Sequence, residues 1–176
     1  LEDGDTDWAN VINVKIGNAL ITIHGDITAR TDVTATAKAN VIMEVSNDVL
    51  ATVYVPAAVV ISVTDAALEL INGNITAGSN VKLSAESSVS AKAIATTGEL
   101  PVSLSLVVAV NDAHVLVGGN STIKAQGDVT LSNKVTTTTE AKAGRGTLDG
   151  NASGYIAVEV AVQNGYARVS DTASIT

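Results

Sequence analysis

Along much of the chain, apolar and polar residues alternate in short runs. VINVKI (Val11–Ile16), ALITI (Ala19–Ile23) and VTATAKA (Val33–Ala39) follow or approach a period of two, the signature of strands with one face buried. Turn-forming residues stand between them at Asn18, Gly25-Asp26 and Thr31-Asp32. The pattern predicts strands of three to six residues joined by turns of one to three, as in a coil of β-structure. Later runs, near Val49–Val55, Ala58–Val63 and Leu104–Val110, are largely apolar but still only strand-length. Pro56 and Pro101 fall at predicted corners, because proline cannot donate to a ladder.

The pattern repeats. NALITIHGDITARTDVTATAKA, from Asn18, returns as DAALELINGNITAGSNVKLSAES from Asp65 and as DAHVLVGGNSTIKAQGDVTLSNK from Asp112, and a fourth copy begins at Asn164. Ile27, Ile75 and Ile123 are 48 residues apart, as are Val33, Val81 and Val129, and Asp32, Asn80 and Asp128. Ile16, Val63 and Val110 match at intervals of 47, and Ile175 follows Ile123 after 52, which puts about four extra residues in the third copy, around Gly144–Gly154. Fixed spacing is a physical requirement where equivalent residues stack above one another about 4.8 Å apart. The expected fold is therefore all-β, a parallel β-helix or β-solenoid. The two isoleucine and valine series form inward ladders and the Asp/Asn/Asp series a corner. With roughly 20–25 residues per coil, each repeat supplies about two coils, giving about seven coils over roughly 35 Å. Tandem antiparallel β-sandwich repeats are the rival architecture, although the buried Trp and tyrosine corner of Ig-like domains are missing. Residues 1–10 read as an acidic lead-in and 11–176 as one solenoid segment, with repeats near 11–58, 59–105, 106–157 and a partial copy at 158–176. A start at Leu1 and a stop within a repeat suit a segment of a longer polypeptide.

Composition sharpens this picture. The chain has no Phe, one Trp (Trp8) and three Tyr, so its core must be narrow and filled by Val, Ile, Ala and Leu. The abundance of β-branched residues favours extended backbone. Ten Lys and Arg against eighteen Asp and Glu give a net charge of −8, which disfavours nucleic-acid partners and offers no polybasic membrane handle. No apolar run approaches the length of a membrane-spanning helix, and without cysteine there is neither disulfide nor thiolate metal site.

The stretch from Val107 carries a resemblance. Val108–Val110, Asn111-Asp112-Ala113, Gly119-Asn120 and the run Ile123-Lys124-Ala125-Gln126-Gly127-Asp128-Val129-Thr130 resemble the repeats of leukotoxin-like filamentous adhesins and of filamentous haemagglutinin-type bacterial exoproteins. Arg30-Thr31 and the inserted loop Gly144–Gly154 depart from that pattern. The resemblance implies a right-handed parallel β-helix in a fibrous, extracellular cell-surface stalk, and it brings no catalytic residues.

Candidate chemistry is sparse. Asp3, Asp5 and Asp7 alternate like the start of a calcium loop, but Trp8 and Val14 occupy the positions of its glycine and bidentate glutamate. That calcium site is the one cofactor candidate, and a solvated lead-in is the preferred reading. His24 and His114 have no HxH or HxxxH partner. Asn111-Asp112 or Asp65 could seed a lyase-type carboxylate cluster, with Lys124, Lys134, Lys142 and Arg145 among the few basic residues of the later half. No nucleophile elbow occurs. The expected function is structural, not enzymatic: a β-helical stalk segment, partnered by neighbouring repeats or by end-to-end copies of itself and carrying a contact to a host or cell-surface glycan or protein. A carbohydrate lyase or hydrolase, or a glycan-binding face built on threonines such as Thr136–Thr139, is the alternative.

Overall fold

The computed structural model describes residues 10–49, 55–98, 102–145 and 154–176. They form eleven strands: β1 (Asn10–Ile23), β2 (Asp26–Ala29), β3 (Val33–Val49), β4 (Ala57–Ile71), β5 (Asn74–Ala77), β6 (Val81–Thr97), β7 (Ser103–Gly118), β8 (Thr122–Ala125), β9 (Val129–Arg145), β10 (Tyr155–Val169) and β11 (Ser174–Ile175). The strands make three sheets, in the orders β1-β4-β7-β10, β11-β8-β5-β2 and β3-β6-β9. Every pairing is parallel, which rules out the antiparallel sandwich.

Each repeat contributes one strand to each sheet, so the chain makes one circuit of the three sheets per repeat. Partners are 47 residues apart between β1 and β4 and 48 apart between β3 and β6. This corrects the expectation of two coils per repeat, which would place partners about half as far apart. Asn18 was read as a turn, but β1 runs unbroken through it, and Val33–Val49 is likewise one strand. The polar column at this register, Asn18, Asp65, Asp112 and Asn164, lies within the ladder. Alternation puts these side chains opposite the core, and a polar residue there does not interrupt a strand. The long strands therefore extend about 50 Å, while four layers rise only about 15 Å.

The change from 47 to 48 occurs at the turn between the first sheet and the short second sheet. Left-handed backbone at Asn72 (φ 52°) and Gly119 (φ 63°) absorbs the extra residue, a conformation open to Asn and Gly. The spacing of 52 arises between β9 and β10: β6 and β9 still pair at 48, while β7 and β10 pair at 52.

The core lies between the two long sheets. Near the short sheet it contains Leu68, Leu70, Ile75, Val81, Leu83, Val115, Val117 and Ile123, all fully buried. At the other end it is thinner, with Ala58, Val60, Ala91, Ala93, Ala95, Val107 and Ala109. Small side chains between closely packed sheets leave no room for an aromatic, which accounts for a chain without phenylalanine. A polar seam separates the two clusters. Asn111, 1% exposed, is paired with Ser87 and donates to the Thr136 carbonyl (2.8 Å) and to Thr137 Oγ1 (2.9 Å).

Candidate functional site

The isoleucines Ile27, Ile75, Ile123 and Ile175 pair in sequence along the short sheet, and Val33, Val81 and Val129 begin the three strands of the third. At the adjoining corner, Asp32 Oδ1 accepts from the Asn80 backbone N–H (2.9 Å) and side-chain amide (3.1 Å), and Asn80 Oδ1 accepts from the Asp128 N–H (2.9 Å). The Asn80 backbone N–H holds the Asp32 carboxyl below its ordinary value, with Ser79 adding to the effect. These contacts join successive layers, and of these positions Ile75 borders a depression on the short sheet.

The outer faces of the two long sheets differ. On β3-β6-β9, charges alternate from layer to layer. Lys38 pairs with Glu86 (3.4 Å), and Lys92 bridges Glu44 (3.0 Å) and Glu140 (3.7 Å). Hydrogen bonding and attraction to Glu44 raise the Lys92 ammonium, and the hydrogen bond from Lys142 lowers Glu140. Of the run Thr136–Thr139, Thr137 and Thr139 take the core-facing parity. Thr137 meets Asn111 and Thr139 donates to Glu159 (3.1 Å), so the run does not form one threonine face. A shallow depression of about 330 Å³ on this side is lined by Lys38, Glu86, Lys134 and Thr136 among others. On β1-β4-β7-β10 the outer face carries a grid of branched aliphatics in register: Ile12, Val59, Leu106, Val158; Val14, Ile61, Val108, Val160; Ile16, Val63, Val110, Val162. Ile12 and Ile16 are 68% and 65% exposed.

Beside that grid is the one grouping, among the described residues, with a donor set suited to an ion. Asp65 and Asp112 are register partners on β4 and β7. His114 follows Asp112 by two positions and so shares its face. Asp65, Asp112 and His114 each offer an atom within 4.8 Å of the others. His114 Nδ1 is 3.8 Å from Asp65 Oδ1, and Nε2 is 3.6 Å from Glu69 Oε1. The ring stacks on Tyr166 of β10, centroids 5.0 Å apart and planes at 11°. Asp65 Oδ1, Asp112 Oδ1 and His114 Nδ1 are all enclosed and have no hydrogen-bond partner. The Asp65 side chain as a whole is 46% exposed, so Oδ1 is turned inward even though the group reaches solvent.

Sequence reasoning singled out Asp65 and Asp112 but paired the second with Asn111, which points into the core seam. It set His114 aside because its ligand spacing was sought within one strand. The usable signal was Asp-x-His on one strand with an Asp 47 residues earlier. His24 lies elsewhere, at a turn, with Nδ1 bonded to the Ile71 carbonyl (2.9 Å). Lys134 and Lys142 lie on the third sheet and Lys124 on the short one, so these basic residues do not complete a lyase-type cluster. Asp3, Asp5 and Asp7 lie outside the described residues, as does Trp8. Among the described residues no helix is long and apolar enough to cross a membrane. No protein-family profile, curated protein or solved structure matches this chain.

Proposed function

We propose that the chain is a structural segment of a right-handed parallel β-helix, one coil per repeat, forming part of an extracellular stalk or fibre of the filamentous haemagglutinin-like adhesin type. The observation that carries this reading is the in-register stacking of whole repeats. Corner carboxylates, isoleucine ladders and alternating charges each bond to the equivalent residue one layer away. Such stacking suits a rod that resists bending, because adjacent layers are tied in all three sheets. Handedness and the bacterial surface setting rest on the resemblance of the Val107–Thr130 stretch. The strands of the terminal layers present unpaired backbone, the natural template for a further coil or a second copy.

The test is X-ray diffraction from oriented samples, combined with electron microscopy of the same preparation. A spacing near 4.8 Å along the axis of filaments whose width matches the roughly 50 Å strands supports the reading. Monodisperse particles at all concentrations, with no axial repeat, would remove the fibre proposal.

A further inference from the structure

We propose that Asp65, Asp112 and His114 bind one divalent transition-metal ion, of which Zn²⁺ is the representative. The ligands are Asp65 Oδ1, Asp112 Oδ1 and His114 Nδ1. This inference stands independently of the stalk reading.

Three observations converge. The first is the unmet bonding of these atoms. All three are enclosed, unpartnered and within 4.8 Å of one another. Polar atoms removed from water without a replacement bond are unfavourable. Zinc bonds carboxylate oxygen and imidazole nitrogen at about 2.0–2.2 Å, so the three atoms would draw together around the ion.

The second is charge. Asp65 and Asp112 are direct neighbours on adjacent strands, an unfavourable placement for two carboxylates. A divalent ion compensates both. An imidazolium would compensate one, and at 3.8 Å His114 Nδ1 is beyond hydrogen-bond reach of Asp65.

The third is the support behind the histidine. Glu69 Oε1 lies 3.6 Å from Nε2, where a small shift of either side chain would make the hydrogen bond by which a carboxylate holds the proton on one ring nitrogen and leaves the lone pair of the other for a metal. Tyr166 fixes the plane of the ring from the next layer. Glu69 is thus a positioning residue and Tyr166 a support.

The donor set selects the ion. One imidazole nitrogen with two carboxylate oxygens suits zinc and its neighbours, while calcium takes six to eight oxygens. Three protein ligands leave a fourth zinc position for water. Because the ligands come from β4 and β7, the ion would clamp two successive circuits, with Tyr166 of a third stacked on the histidine.

The experiment is calorimetric titration of the chelator-treated chain with ZnCl₂. One Zn²⁺ per chain is expected, with a higher melting temperature in its presence. His114→Gln and Asp112→Asn should abolish that binding, Glu69→Gln should weaken it about tenfold or more, and His24→Gln should leave it unchanged. Circular dichroism establishes that each variant keeps its strand content. If Asp112→Asn does not fold, His114→Gln decides. Co²⁺ gives a second readout: its visible absorption bands should appear with the parent chain, shift in Glu69→Gln and vanish in His114→Gln. No saturable Zn²⁺ binding, binding that survives His114→Gln, or stoichiometric Ca²⁺ binding that Zn²⁺ does not displace would each overturn the assignment.

Discussion

The oxygen of Asp32 illustrates how much one side chain does in a stacked fold. It accepts two hydrogen bonds from Asn80 in the layer above, while Asn80 Oδ1 accepts one from the Asp128 backbone N–H. The sequence alternates Asp and Asn at this corner because either residue supplies the accepting oxygen. The charged form of Asp32 is the one stabilised, so its carboxyl sits below its ordinary value. A carboxyl lowered in the folded state adds stability above its unfolded value near 4, and that contribution is lost as pH falls through the lower, folded value. Asp32→Asn keeps the acceptor and removes the titration. Its urea midpoint should lie slightly below the parent's at pH 7 and fall less steeply below about pH 4, so that the two converge in acid, which a pH series of urea melts would measure. Other lowered carboxyls, Glu140 among them, keep some slope in the variant.

At the scale of the element, the long strands were legible in part. Alternation marked Val33–Ala39 as extended, and the 48-residue interval fixed which residues of the short and third sheets pair. Strand length was not legible, because a polar residue on an outer face looks in sequence like a turn residue. Asn18 illustrates the ambiguity, and the doubled coil count followed from it. The candidate metal ligands were obscured for a related reason, since Asp65 reaches His114 only through the register of two strands. The buried seam was also hidden. Asn111 stands in a polar Asn-Asp pair, yet parity sends it into the core. Asn111→Ala removes three hydrogen-bond partnerships and leaves Ser87 and the Thr136 carbonyl without them. A loss of about 2–3 kcal/mol is expected from equilibrium unfolding in urea, with the midpoint shifted and the slope unchanged.

At the scale of the whole molecule, the open strand edges matter most. Glu159 covers part of one: its carboxylate accepts the Ala141 N–H (2.6 Å) and the Thr139 hydroxyl on the free side of β9. A charge set against an unpaired edge opposes pairing with another chain. Glu159→Ala should leave the strand content unchanged and bring on self-association at about a fivefold lower protein concentration. Sedimentation velocity over a dilution series would detect it. The two outer faces add an asymmetry, one carrying ion-pair ladders and the other the aliphatic grid. Under the grid the strands carry apolar residues on both faces, which is why Ala58–Ile61 and Leu106–Val110 read as short hydrophobic runs.

One circuit takes 47 or 48 residues yet raises the stack by a single interstrand spacing. Translated into coding length, the unit of growth is one whole repeat. A duplication or deletion of that many codons moves every later strand by one layer and preserves all three registers. Gaining or losing one codon, or any odd number, within a strand turns the inward side chains outward along the rest of that element. Between β9 and β10, by contrast, four additional residues leave the pairing on either side intact. The gene for such a protein can therefore lengthen by recombination between its own repeats, and smaller insertions are tolerated where the chain crosses from one circuit to the next.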